Sequence, residues 1–189
     1  MKVGKKIKRF FKKRPLWKPL SAIVLAILVL VTMQAVLQSV KAEMEQEARE
    51  YLMSNLLLGG APFREEEYTG EDELITAVYR GTGGCVVETL VDGYAAPIAV
   101  WVGVRNDGHV TGVTIRDMAE TYGLGRNAMF DVDFLVQFLR TEGDAAVGEN
   151  VDAISGATVT SKAVTKAVNA AVGFVTGADV SSGATEWGG

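Results

Sequence analysis

Hydroxyl-bearing and small residues cluster between positions 152 and 162, in the stretch DAISGATVTSK. Its order predicts a short strand, then a turn, then the start of a helix. The first backbone N–H groups of a helix have no partners within the helix, and the helix dipole favours negative charge there. Gly156 would let a ligand approach the backbone closely. The hydroxyl groups are those of Ser155, Thr158, Thr160 and Ser161. This pattern is typical of a turn that binds a phosphate group.

The same residues also fit an ordinary helix start. In that interpretation Thr160 or Ser161 caps a helix over residues 162–175, because Ser and Thr side chains accept hydrogen bonds from the first free N–H groups. Spacing alone favours the cap over the phosphate site. The chain has no GxxxxGK[ST] pattern, so neither ATP nor GTP is indicated.

A second segment with chemical potential is the stretch ETYGLG at residues 120–125. Two glycines flank a leucine, and glycine permits a positive φ and a close approach of the backbone to a flat ligand. The candidate binding residues of this stretch are Glu120, Thr121, Gly123, Leu124 and Gly125. From the residues alone, an ordinary connecting loop is the alternative.

The elements that must position these segments follow from the apolar patterns around them. Runs of β-branched residues predict strands at 74–79, 85–91, 97–104 and 110–115, and Asn106-Asp107-Gly108 predicts a tight hairpin turn. Helical spacing predicts helices at 129–140 and 159–175. Residues 64–73 are mostly charged and predict a solvated loop. Successive strands with short turns indicate an antiparallel sheet, so the predicted fold class is α+β with flanking helices.

The N-terminal segment has a different composition. Residues 20–37 contain no charged side chain over 18 positions, close to the length of about 20 residues that a helix needs to cross a bilayer. A cleaved signal peptide is the alternative, but the apolar run is long for one. Residues 1–18 hold nine Lys and Arg and no acid, so the positive-inside rule predicts a cytoplasmic N-terminus. The predicted organisation is a basic tail (1–19), a transmembrane helix (20–40), a helical stalk (41–63), a folded domain (64–177) and a flexible tail (178–189).

Charge and cysteine content exclude several classes of function. The chain has 19 basic and 23 acidic residues. Outside the basic tail, it has ten basic and 23 acidic residues. An acidic domain argues against nucleic acid as a partner. One Cys and one His cannot form a disulfide framework or a structural zinc site. His109, beside the hairpin turn, is expected to be exposed, and Cys85, at a strand start, is expected to be buried.

The two segments resemble the motifs of the FMN-binding domain family. The stretch Ser155-Gly156-Ala157-Thr158 resembles the family's flavin-attachment motif, whose last hydroxyl residue receives FMN through a phosphoester. The stretch ETYGLG resembles the family's loop against the isoalloxazine ring, with Tyr122 where the family has proline. With the N-terminal anchor, the arrangement is similar to the G-subunit family of Rnf ion-translocating electron transport complexes and to the related C subunits of Na⁺-translocating NADH:quinone reductases.

The resemblance implies covalent FMN on Thr158, attached by a separate Mg²⁺-dependent flavin transferase that uses FAD. It implies FMN contacts from the other motif residues: Ser155, Gly156, Ala157, Thr160, Ser161, Glu120, Thr121, Gly123, Leu124 and Gly125. It also implies an extracytoplasmic electron carrier among other membrane subunits, rather than a catalyst alone. Two alternatives stay open, a stand-alone extracytoplasmic FMN protein and a membrane-anchored scaffold without redox activity.

Overall fold

A computed structural model describes residues 17–119 and 125–178. Most of the basic tail, the first five residues of the ETYGLG stretch and nearly all of the C-terminal tail therefore lie outside the described residues. Within the described part, contacts divide the chain between Glu47 and Ala48 into two units.

The first element is a single long helix, α1 (Trp17–Leu56). It includes the predicted apolar stretch and continues without a break into the predicted stalk. Among the described residues, this helix is the one whose length and composition would suffice to cross a membrane. The helix ends at Leu56, three residues before Gly59, so residues 57–63 of the predicted stalk are not part of it.

The folded unit contains one antiparallel five-stranded sheet in sequential order: β1 (Arg64–Glu66), β2 (Ile75–Gly81), β3 (Gly84–Asp92), β4 (Pro97–Arg105) and β5 (Val110–Met118). The four predicted strands and the antiparallel arrangement are confirmed. Nearly continuous runs of buried, mostly apolar residues along β3 and β4 cover both faces of these central strands. The sheet therefore needs a covering layer on each side.

The solvated loop predicted over 64–73 is wrong in its first three residues. Arg64, Glu65 and Glu66 form the short edge strand β1, with Glu66 opposite Val78 of β2. All three are exposed, so they show no apolar alternation that would reveal a strand. Glu66 Oε2 accepts a hydrogen bond of 2.9 Å from Arg80 Nε, which fastens the edge.

The turn predicted at residues 106–108 joins β4 to β5. Gly108 has a φ of +92°, and its N–H donates to the Arg105 carbonyl at 2.9 Å. Asp107 accepts hydrogen bonds from the Arg105 guanidinium and from the His109 N–H. The local sequence therefore specifies this turn through its own side chains.

The predicted helix at 159–175 is confirmed as α3 (Thr158–Thr176). Val164, Val168 and Val172, four residues apart, are fully buried against the sheet. Asn169 is also buried. Its side-chain amide forms hydrogen bonds with the N–H and the carbonyl of Ala145 at 3.1 and 2.8 Å, which satisfy its polar atoms.

The single helix predicted over 129–140 is wrong in extent. The chain instead forms a 3₁₀ turn (Gly125–Met129), the short helix α2 (Val132–Gln137) and a second 3₁₀ turn (Phe138–Arg140). Asp131 starts α2 by accepting a 3.0 Å hydrogen bond from the Phe134 N–H. This cap begins a new helix where the apolar spacing suggested a continuous one.

The two faces of the sheet have different partners. The α3 face is covered by α3, α2 and the 3₁₀ turns, in one apolar core. The other face is covered by the end of α1, where Met53, Leu56 and Leu57 pack on Tyr79, Val86 and Trp101. We call this second face the α1 face.

Candidate functional site

A tight turn precedes α3 in the SGAT motif. The Ala157 N–H donates to the Ile154 carbonyl at 2.9 Å, which closes a turn over residues 154–157. Gly156, the third residue of this turn, has a φ of +75°. A β-turn with a positive φ at its third residue strongly prefers glycine there. The glycine of the motif is therefore required by the backbone.

The four hydroxyl groups of the motif fall into two classes. Ser155 and Thr158 are exposed, whereas Thr160 and Ser161 are 1% and 0% exposed. Ser161 Oγ accepts the Ile154 N–H and donates to the Ala157 carbonyl, both at 3.0 Å. Ser161 thus braces the turn from inside, and only Ser155 and Thr158 present a hydroxyl to solvent.

The helix cap predicted at Thr160 or Ser161 is wrong. Helix α3 begins at Thr158, and its N-cap residue, Ala157, makes no side-chain capping bond. Thr158 is therefore the first residue of the helix, where the positive end of the helix dipole lies. An anion attached to its hydroxyl would lie beside that dipole.

Lys162 follows Thr158 by four residues and is exposed. Residues four apart in a helix lie on the same side of it. The positive charge of Lys162 is therefore available to an anion at Thr158. In the sequence, this spacing is the one signal that Lys162 could bind an anion. It does not distinguish Lys162 from an ordinary surface lysine.

The segment that leads into the motif is held by a side chain of α2. The Asp152 N–H donates to Gln137 Oε1 at 2.7 Å, and Gln137 Nε2 donates to the Asp152 carbonyl at 3.4 Å. Val151, just before, is buried in the core. Sequence reasoning missed Gln137, because no pattern in the sequence pairs it with a residue 15 positions away.

The glycine-rich stretch is described only at its last residue. Glu120, Thr121, Gly123 and Leu124 lie outside the described residues. Gly125 is buried and opens the 3₁₀ turn Gly125–Met129, which packs against both β5 and α3. Gly125 and the residues after it therefore pack against the helix that starts with Thr158.

The direction of α3 places its first turn at one end of the sheet. A Cβ on Gly108, in the β4–β5 turn, would lie 2.9 Å from Cγ2 of Thr176, so the last turn of α3 lies at that end. The helix contacts β3 and β4 along its course. The first turn of α3, with Thr158, therefore lies toward the opposite end, where β5 finishes at Met118.

The two isolated reactive residues are placed as predicted. His109 is exposed, with Nε2 2.9 Å from Glu142 Oε1 and Nδ1 3.4 Å from Asp107 Oδ1. Cys85 is fully buried, and burial raises the pKa of its thiol to about 11. A thiol with such a high pKa is a poor nucleophile at neutral pH.

Comparison with known proteins connects this geometry to a family. Residues 93–173 match the family described as "FMN-binding domain". This segment contains β4, β5, α2, the SGAT motif and most of α3, which are the elements described above.

Three relatives are G subunits of ion-translocating complexes. The G subunit of the proton-translocating ferredoxin:NAD(+) oxidoreductase complex of Clostridium ljungdahlii is 42% identical over 98 residues, which cover 48% of this chain and 52% of the relative. The G subunit of the Na(+)-translocating ferredoxin:NAD(+) oxidoreductase complex of Acetobacterium woodii is 39% identical over 88 residues, or 42% of each chain. The chain thus spans only about half the length of these two relatives.

The third relative matches over most of both chains. The G subunit of an ion-translocating oxidoreductase complex of Methanosarcina acetivorans is 31% identical over 172 residues, 82% of this chain and 89% of the relative. The match therefore includes residues outside the FMN-binding domain. This chain belongs to the family of FMN-binding domain proteins that includes the G subunits of ion-translocating oxidoreductase complexes.

Proposed function

We propose that this chain is an electron-transfer subunit of an Rnf-type ion-translocating complex, with FMN bound through a phosphoester to Thr158. The observation that carries the proposal is the separation of the motif's hydroxyl groups. Thr158 is exposed at the first position of α3, whereas Thr160 and Ser161 are buried inside it. A transferase could reach Thr158, and the flavin phosphate would then lie at the helix N-terminus.

The residues of the chain have separate roles in this proposal. The first turn of α3 and Lys162 stabilise the negative charge of the phosphodiester, and Gly156 leaves the backbone open beside it. Ser155 offers a second exposed hydroxyl to the phosphate. Ser161 acts as a positioning residue, because it holds the turn that presents Thr158.

The remaining motif residues form the proposed ring contacts. Glu120, Thr121, Gly123, Leu124 and Gly125 are proposed to lie against the isoalloxazine ring. When bound, FMN supplies one-electron transfer, while the protein sets its position and its reduction potential. The burial of Gly125 next to α3 supports a short distance between this stretch and Thr158.

Attachment of the flavin requires a second protein. A Mg²⁺-dependent flavin transferase would direct the Thr158 oxygen to the FMN phosphorus of FAD. The oxygen–phosphorus bond forms, the phosphoanhydride bond to AMP breaks, and AMP leaves while the hydroxyl proton passes to a base of the transferase. The chain is thus the substrate of this reaction.

The proposed location is the outer side of the cell membrane. The uncharged stretch in α1 and the nine basic residues before it support a single-pass anchor with the N-terminus in the cytoplasm. The folded domain would then face the extracytoplasmic side. A covalent bond suits this location, because a dissociated flavin would diffuse away from the cell.

Intact-mass measurement tests the attachment. The full chain is co-expressed with a flavin transferase as wild type, Thr158→Ala, Thr158→Ser and Ser155→Ala. FMN loses water on esterification, so a phosphoester adds about 438 Da. We expect this adduct on the wild type, on Thr158→Ser and on the Ser155→Ala control, and no adduct on Thr158→Ala.

Two outcomes would contradict the proposal. An adduct that persists in Thr158→Ala would place the flavin on another residue. A wild-type chain that stays unmodified beside an active transferase would favour a scaffold without a flavin. Purification of the loaded chain from native membranes then separates a member of a complex, which co-purifies with its partner proteins, from a stand-alone flavoprotein.

A further inference from the structure

Tyr94 lies at the tip of the turn between β3 and β4. The Gly93 N–H donates to the Ala96 carbonyl at 3.1 Å, which makes this turn tight. The Tyr94 residue is 73% exposed. Within the described residues, the ring pairs are Tyr68–Phe174, Tyr79–Trp101 and Phe134–Phe138, and none of them includes Tyr94. A large aromatic side chain is therefore held at a defined point with its ring in solvent.

The strand register places this tip at one end of the sheet. Asp92 pairs with Pro97 across the β3–β4 hairpin, and the next residue, Ile98, pairs with Met118, the last residue of β5. The Tyr94 turn and the exit from β5 toward residue 120 are thus neighbours. Both lie opposite the β4–β5 turn.

Helix α3 brings Thr158 to the same end. Its last turn lies at the β4–β5 turn, next to Gly108. The helix has 19 residues and the strand β4 has nine. At about 1.5 Å per helical residue and about 3.3 Å per strand residue, both are roughly 30 Å long. A helix of that length, packed on β3 and β4, starts near the end of the sheet where Tyr94 lies.

We infer that Tyr94 contacts the isoalloxazine ring of the FMN bound at Thr158. This inference rests on the proposed function and adds a wall of the flavin site on the β3–β4 turn. The ribityl chain extends the ring away from the phosphate, so the ring's contact residues lie apart from the attachment point. A flat aromatic ring such as that of tyrosine stacks favourably on another aromatic surface. The turn at residues 93–96 holds the Tyr94 ring in place, and the ring does not pack into the buried core.

Flavin fluorescence tests this contact. The full chain is loaded with FMN as wild type, Tyr94→Ala, Tyr94→Phe and Tyr94→Trp, and intact mass establishes the loading of each. Electron-rich tyrosine and tryptophan rings quench flavin emission when they touch the flavin. We expect a several-fold rise in emission per bound flavin for Tyr94→Ala and Tyr94→Phe, and restored quenching for Tyr94→Trp.

A matched control comes from α1. Tyr51 is 70% exposed and lies on the helix that covers the opposite face of the sheet. Tyr51→Ala should leave the emission at its wild-type value. Tyr94→Phe differs from the wild type by one hydroxyl group, so a change in this variant does not arise from misfolding.

The outcomes separate the inference from the proposed function. If the wild type carries no adduct, the proposed function fails and the inference fails with it. If all variants are fully loaded and Tyr94→Ala emits like the wild type and Tyr51→Ala, the inference alone is wrong. Tyr94 would then be a surface residue of the hairpin without a role at the flavin.

Discussion

The two faces of the sheet are covered in different ways. On the α3 face, valine and alanine side chains from a regular helix fill the space above β-branched residues of the strands. On the α1 face, the contact is made by a helix end, two large aromatic residues and two glycines. Gly103 pairs with Gly112 across β4 and β5, and a Cβ on Gly103 would collide with the Leu56 carbonyl oxygen.

The two faces therefore differ in the substitutions that they tolerate. The α3 face depends on apolar volume, which several side chains share. The α1 face depends on the absence of side chains at two positions, and on a hydrogen bond of 2.5 Å from Thr111 Oγ1 to the Leu56 carbonyl. Loss of side-chain volume should therefore destabilise the α3 face most, and added side-chain volume should destabilise the α1 face most.

The largest effect is expected from truncation on the α3 face. Phe138 is fully buried and meets Phe134 edge to face, with ring centroids 5.2 Å apart. Phe138→Ala should lower the free energy of unfolding by about 3–5 kcal/mol, because it removes apolar contact and leaves a cavity. Urea unfolding of the full chain in detergent, followed by near-UV circular dichroism, measures the change. Leu139→Ala, at a residue that is 41% exposed, is the control and should cost much less.

The next effect is expected from added volume on the α1 face. Gly103→Ala should lower the free energy of unfolding by about 1–3 kcal/mol, because the new methyl group meets backbone that cannot rotate away. The same urea titration measures it. Thr111→Val, which keeps the shape and removes the bond to Leu56, tests the helix end by a second route. Wild-type stability in Gly103→Ala would mean that Leu56 is not pressed against β4.

A smaller effect is expected at the aromatic pair of the α1 face. Arg116 lies with Cζ 4.9 Å from the centroid of the buried Trp101 ring. Arg116→Ala should cost about 0.5–1 kcal/mol, which is the range of a partly exposed cation–π contact. Asp117→Ala, at the next exposed residue, is the control for loss of a surface charge. Equal effects of the two substitutions would remove the cation–π contact from the comparison.

The smallest effect is expected at the β4–β5 turn, beyond both faces. The Arg105 guanidinium, and then the His109 N–H, hold the pKa of Asp107 below its ordinary value of 3.8. A carboxyl whose pKa is lowered in the folded state adds stability above its unfolded pKa, and this stability is lost as the pH falls through the folded pKa. Asp107→Asn should therefore lower the melting temperature slightly at neutral pH.

The acid limb checks the sign of this effect. Melting temperatures measured from neutral pH down to about pH 3 should show wild type and Asp107→Asn converging as the carboxylate is protonated. The difference should also shrink at high salt, because the ion pair is exposed. A gap that widens toward acid would contradict the assignment.

The sequence predicted the regular elements of the α3 face well. The valines of α3 recur every four residues, and four strands show β-branched runs between turn residues. The sequence did not predict elements where a local hydrogen bond interrupts an apolar pattern or where a strand has no apolar face. Asp131 begins a helix inside a run of apolar residues at helical spacing, and β1 consists of three exposed charged residues.

The sequence identified the candidate motif but not which of its hydroxyl groups are exposed. The motif identified Ser155, Thr158, Thr160 and Ser161 together, because all four carry a hydroxyl group. The structure buries Thr160 and Ser161 at the start of α3 and leaves Ser155 and Thr158 exposed. A shift of one or two residues in that start changes which side chains face solvent, and spacing does not determine helix ends so closely.

By itself, the sequence determined the fold class, the apolar N-terminal helix and the two motifs, because periodicity, charge and turn residues are local properties. Only the tertiary structure decided that Thr158 begins α3, that Gln137 holds Asp152, that the end of α1 covers the second face and that Tyr94 lies at the Thr158 end of the sheet. These depend on contacts between residues far apart in the chain, and such contacts are made by the packing of complete elements rather than by the pattern within any one of them.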